Sequence, residues 1–224
     1  MKKIALMAAM IAAFPLAAMA AGSDTPATLD ADTLEYNTAT GLATATGNVL
    51  MTRGDANVTG LKASYNTKTM EGLVEGNVIA VKGNTRITCA KMTTDGQNHM
   101  LAEGSVYGTQ LDKSFTGERV DYYPNQNEYV LVAAGGKLVS KDGTFTADKL
   151  EGWLADEHYV GTGSAHIVSP PRQMEAGGDH MDYYGKTDGK VIITGNAWAV
   201  QENNTMKSNR LTIYLADDGK AQAK

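Results

Sequence analysis

One arrangement of apolar and polar positions recurs along the chain from Leu29 to Ile213. It is an apolar residue, a gap, a small residue, two gaps, an apolar residue, a gap, and then often an aromatic. The copies are Leu29/Ala31/Leu34/Tyr36, Val58/Gly60/Ala63/Tyr65, Ile87/Cys89/Met92/Thr94 and Phe115/Gly117/Val120/Tyr122. Phe145/Ala147/Leu150/Gly152, Ala176/Gly178/Met181/Tyr183 and Met206/Ser208/Leu211/Ile213 complete the series, with starts 28 to 31 residues apart. A second element lies between them: Thr46-Gly47-Asn48-Val49, Glu75-Gly76-Asn77-Val78, Glu103-Gly104-Ser105-Val106, Gly135-Gly136-Lys137-Leu138, Thr162-Gly163-Ser164-Ala165 and Thr194-Gly195-Asn196-Ala197. Self-similarity at a fixed period marks a repeat architecture, whose units bury their apolar faces against one another.

The units read as β. Within each half of the first pattern the apolar positions are two apart, which puts their side chains on one face of a strand. The three-residue step between the small and the apolar position breaks that parity once per repeat, as a β-bulge or strand corner does. Polar tetrads such as Asn37-Thr38-Ala39-Thr40, Pro124-Asn125-Gln126-Asn127 and Lys186-Thr187-Asp188-Gly189 mark turns. The pattern predicts some thirteen to sixteen strands and no amphipathic helix. It leaves two architectures open, an antiparallel jelly roll and a parallel β-helix, with the hairpin-like turns favouring the first.

The first twenty residues stand apart. Lys2 and Lys3 precede an apolar run from Ile4 to Ala18, and Ala18-Met19-Ala20 offers a small-x-small cleavage site. This is the pattern of a secretory signal peptide over 1–20. The expected mature chain is a single β domain over 21–216, with a flexible polar tail over 217–224. Removing Lys2 and Lys3 leaves 18 basic residues against 25 acids, a net of −7. That balance argues against a nucleic-acid partner, whose binding depends on neutralising phosphates. Cys89 is the single cysteine, so no internal disulfide supports the fold.

The segments Ala31-Asp32-Thr33-Leu34-Glu35-Tyr36 and Val191-Ile192-Ile193-Thr194-Gly195-Asn196-Ala197, with the repeated x-Gly-Asn-Val element, resemble the OstA-like family of lipopolysaccharide-transport proteins. Each motif is degenerate, and their weight comes from their number and order across the whole mature chain. The resemblance implies a twisted, V-shaped, antiparallel β-jelly roll, open at both ends and along one seam. It implies lipopolysaccharide as the ligand, with lipid A acyl chains in an apolar groove, and a periplasmic location. It also implies head-to-tail self-association and contacts with jelly-roll partners in the inner and outer membranes. No enzymatic activity, cofactor or metal is expected.

The candidate groove positions are Val49, Met51, Val78, Ala80, Val106, Leu138, Ile167 and Ala199 around the second motif, with Leu34, Val120, Leu150 and Met181 from the first. Each is also an ordinary core position in any β-repeat protein. Candidate assembly edges are the terminal strands, through Leu29 and Ala31 at one end and Leu211, Ile213 and Leu215 at the other. Lys62, Lys82, Arg86, Lys91 and Arg119 read as solvated surface charge, with lipid phosphates at the groove mouth as the alternative. Trp153 and Trp198 read as core or edge packing.

His99, His158, His166 and His180 show no metal-ligand spacing with Cys89. Gly161-x-Gly163 lacks the rest of a dinucleotide fingerprint, and Ser164 lacks the glycine spacing of a nucleophile elbow. A hydrolase on this scaffold therefore has no visible machinery. The main competitor to a lipid carrier is a secreted structural or adhesin-type repeat module.

Overall fold

The computed structural model describes residues 27–96, 98–185, 189–215 and 221–223. The expected leader over 1–20 lies outside them. All strands among the described residues belong to one seventeen-stranded sheet. They begin with β1 (Ala27–Asp30), β2 (Thr33–Asn37), β3 (Leu42–Arg53), β4 (Ala56–Asn66), β5 (Gly72–Lys82) and β6 (Thr85–Thr94). Then come β7 (Met100–Gln110), β8 (Lys113–Tyr123), β9 (Tyr129–Val132), β10 (Gly136–Ser140), β11 (Gly143–Ala147) and β12 (Lys149–Trp153). The last are β13 (His158–Ser169), β14 (Met174–Tyr184), β15 (Lys190–Gln201), β16 (Asn204–Leu215) and β17 (Ala221–Ala223). Every pairing is antiparallel, which decides between the two architectures. Of the tail expected to be flexible, 217–220 and Lys224 lie outside the described residues, while Ala221–Ala223 pair with Ile213–Leu215.

The second motif is the bulge. Thr46 opposes Lys62 and Val49 opposes Gly60, so Gly47 and Asn48 together face Leu61 alone. Both carry positive φ, +78° and +47°, a conformation open to glycine and tolerated by asparagine. The same two-against-one register recurs at Gly76-Asn77, Gly104-Ser105, Gly163-Ser164 and Gly195-Asn196. The Asn48 amide donates to both carboxylate oxygens of Asp32 at 3.1 and 3.0 Å, and Asn196 does the same to Asp179 at 3.2 and 3.0 Å. The side chain of the bulge thus ties it to the neighbouring strand.

These bulges fall in line across the sheet and fold it. Strand segments before and after the line form two halves whose inner faces share one apolar core. The small residue of the first motif makes the fold possible. A Cβ at Gly117 would lie 2.4 Å from Val132 Cγ1, a residue of the other half, and Gly60 and Gly178 stand in the same relation to Val74 and Ile193. Between β8 and β13 the corner divides a strand. β9 and β10 both pair with β8, and β11 and β12 both pair with β13. Asp148 keeps the line continuous there, its carbonyl accepting from Gly135 N at 2.7 Å and its N–H donating to Gly163 O at 2.8 Å.

The outer surface of the first half carries a ladder of rings: His99, Tyr123, Tyr129, Trp153, His158 and Tyr184, with successive centroids 4.5 to 5.8 Å apart. Carboxylates brace it: His99 Nε2 lies 2.7 Å from Asp121 Oδ1, and Tyr129 Oη donates to Glu151 Oε1 at 2.6 Å. Burial and the Glu151 carboxylate both push the Tyr129 hydroxyl up. Burial acts to raise Glu151, but the Tyr129 and Lys149 hydrogen bonds hold it below the ordinary range. Trp153 thus packs on the outer surface, and so does Trp198, whose ring is 5.7 Å from that of His166.

Candidate functional site

The alternation and the mid-strand bulge send Val49, Met51, Val78, Ala80, Val106, Val120, Leu138, Leu150, Ile167, Met181 and Ala199 into the shared core, none more than 8% exposed. Leu34 differs. It is 51% exposed, because β2 pairs with β3 at the end of the roll. The interior is closed-packed along its middle, where Val130, Val132, Leu138, Leu150 and Tyr159 line a space of about 20 Å³. It opens at the N-terminal end. There Leu29, Leu34, Tyr36, Ala43, Met51, Tyr65 and Met70 line a cavity of about 570 Å³, with Arg53 at its margin. Tyr36, Tyr65 and Met70 were not singled out from the sequence, although Tyr36 and Tyr65 occupy the aromatic position of the repeat.

The two ends of the sheet are edges. β1 and β2 pair with β3, and among the described residues no strand pairs with their other side. At the far end β16 pairs fully with β15. β17 covers only Ile213–Leu215, and no described strand covers Asn204–Thr212. Leu29, Ala31, Leu211 and Leu215 are partly buried against the core, and Ile213 is 2% exposed. Apolar side chains and open backbone meet at the N-terminal end, whereas at the far end the uncovered stretch carries Lys207 and Arg210 and the apolar Ile213–Leu215 pair with β17. Long apolar edges normally carry blocking devices, because they invite another strand.

Among the described residues no three His, Cys, Asp or Glu side chains gather as metal ligands. Cys89 is buried, and that burial, partly opposed by backbone hydrogen bonds from Lys91 and Glu103, pushes its thiol up to about 11. A neutral, enclosed thiol is a poor nucleophile. Of the five cations weighed above, Arg119 bonds Glu103 and Asp121 on the outer surface. Lys62 and Arg86 are exposed, and Lys91 stands on the outer row with Glu75 and Glu103. Only Lys82 shares the inward parity of Val78 and Ala80.

A family model described as LptA/(LptD N-terminal domain) LPS transport protein matches residues 57–219. The chain belongs to this family. Membership agrees with the resemblance drawn from the repeats, and it places the chain among lipopolysaccharide-transport proteins. Among solved structures the chain is similar to LptH, the LptA-homologous periplasmic component of the conserved lipopolysaccharide transport device from Pseudomonas aeruginosa. The identity is 20%, with 48% of this chain and 81% of that chain covered and a TM-score of 0.43, a likeness too distant to argue from. Comparison with curated proteins finds no match. No helix among the described residues is long and apolar enough to cross a membrane.

Proposed function

We propose that this family member is an exported carrier that works in the periplasm, shielding the lipid A acyl chains of lipopolysaccharide inside its roll. Its end strands would pass lipid to jelly-roll partners and to further copies of itself. The observation that carries the reading is the apolar interior that surfaces at the N-terminal end as the cavity beside Leu34, Tyr36 and Tyr65. Moving an acyl chain of about a dozen methylenes out of water is worth roughly 10 kcal/mol, at about 0.8 kcal/mol each. An apolar passage supplies that without bond chemistry. The close-packed middle means that lipid enters at the mouth or parts the two halves. Met51, Met92, Met174 and Met181, all buried, would suit the second case, because unbranched, polarisable side chains repack readily.

Head-to-tail growth would follow from strand addition at the open edges. The groove positions and the edge residues Leu29, Ala31 and Leu211 belong to this proposal, as do Ile213 and Leu215, where an incoming strand would replace β17. The first test is retention of lipopolysaccharide by the purified chain. We expect lipopolysaccharide to co-purify and to be displaced by added lipid A but not by free core oligosaccharide. Purification from a lipopolysaccharide-rich envelope with no bound lipid, and none taken up on mixing, would favour the structural-module reading instead.

A further inference from the structure

The hairpin ends of the second half carry charge on the wrong side of the sheet for simple solubility. Alternation places Arg53 with Val49 and Met51, Lys82 with Val78 and Ala80, and Lys113 with Phe115, all on the inward face. All three are half-buried. The register puts them on one row: Arg53 opposes Ala56, Ala56 opposes Lys82, Lys82 opposes Thr85, Thr85 opposes Gln110 and Gln110 opposes Lys113. Asp55, Asp112, Asp142 and Glu202 belong to the turns beyond the row, and Glu175, one residue into β14, pairs with His166 at 2.8 Å. Along the row itself Arg53, Lys82 and Lys113 stand with Ala56, Thr85 and Gln110, none of them a carboxylate.

Arg172 continues it and is the more telling residue. It follows Ser169, the last residue of β13, in the turn Pro170–Arg172, and is 6% exposed. Its Nη1 donates to Ser169 Oγ at 3.3 Å, and its Nε, cut off from solvent, has no partner. Among the described residues no carboxylate lies within ion-pair distance of it. A guanidinium cannot shed its charge at neutral pH, and a buried one without an anion is costly. Such a residue is kept where an anion arrives in the working state, and a phosphate oxyanion fits its planar donors.

We propose that Arg53, Lys82, Lys113 and Arg172 form a phosphate-tracking row along the seam of the roll. The row holds the anionic headgroup of an amphiphile whose acyl chains lie in the apolar interior. The cations recur every two or three strands, roughly 10 to 14 Å at the usual strand spacing, so a phosphate leaving one is within reach of the next. The inference rests on the carrier reading and goes beyond it by assigning headgroup contacts to this chain's own residues.

The test measures binding of lipid A bearing its phosphates, of phosphatase-stripped lipid A, and of inorganic phosphate. The proteins are the full mature chain, Lys82→Gln/Lys113→Gln, Arg172→Met, and Arg86→Gln as an outward-facing control. We expect the double variant and Arg172→Met each to lose about tenfold or more in affinity for phosphorylated lipid A and to bind the stripped lipid as the parent does. Arg172→Met should also melt higher without lipid, since it removes an unpaired buried charge; a lower melting temperature would contradict the account of that residue. Equal affinities of parent and variants, or equal losses for both lipids, would overturn the row while leaving the carrier reading intact. Inorganic phosphate competing as strongly as the lipid would reassign the row to a free anion. A parent that binds neither lipid would sink both proposals.

Discussion

Replacing Gly108 with alanine should lower the melting temperature by about 6 to 12 °C. A Cβ there would lie 1.9 Å from Phe115 Cε1 and 2.3 Å from Cζ. Phe115 is 1% exposed and directly opposite in the register, so its ring has little room to yield. Overpacking of this kind costs about 1–3 kcal/mol, and the full 3 corresponds to the range above at about 2–4 °C per kcal/mol for a domain of this size. The partner variant Phe115→Leu frees the space. On its own it destabilises, but Gly108→Ala/Phe115→Leu should melt above Gly108→Ala. Thermal denaturation of the four proteins gives the coupling directly. Additive losses would show that the ring is not what limits position 108.

Leu34→Asp should abolish self-association while leaving the fold almost unchanged. Leu34 is 51% exposed on a strand paired on one side only, so its replacement costs the isolated chain little. In the proposed head-to-tail contact the same side chain would be covered by the β16 end of the next copy, where a carboxylate would be buried without a partner. Sedimentation across a concentration series is expected to show oligomers for the parent and monomer for the variant, at matched melting temperatures. Undiminished association by the variant would move the contact away from this end of the roll.

The sequence carried the repeat, the strand alternation and the inward set, because each is written in neighbouring residues. Val49, Met51, Val78 and Val106 could be placed inside from period-two spacing alone. The bulge was legible only in part. Its trace is the three-residue step at Gly60/Ala63 or Gly117/Val120, yet the extra residue sits on the facing strand, in Gly47-Asn48 or Gly104-Ser105. A bulge opposes two residues to one, so the parity break and the left-handed backbone fall on different strands. Gly163-Ser164, a copy without the asparagine, is a regular bulge with φ of +76° and +48°. The true break is at β9/β10 and at Asp148.

Two features lay beyond sequence reading for a shared reason. The ring ladder joins His99 to Tyr184, and the cationic row joins Arg53 to Lys113, each across several hairpins of unequal length. Such rows become visible only when the register is known, since turn length fixes which residues meet. Leu34 shows the complementary gap. Its motif marks it as inward, and its exposure arises from its place in the first repeat, where a terminal unit has one neighbour instead of two.

The most direct test of the central claim, that the interior of the roll is the lipid path, is site-specific photo-crosslinking in living cells. Probes at Val49, Val106 and Leu138 face the core, and one at Asn48, exposed on the bulge, serves as the control. The account predicts lipopolysaccharide adducts at the three inward positions and none at Asn48. Adducts at none of them in an exported, folded chain, or at Asn48 alone, would contradict it and leave a β-repeat module that shares the family's fold without carrying its cargo inside.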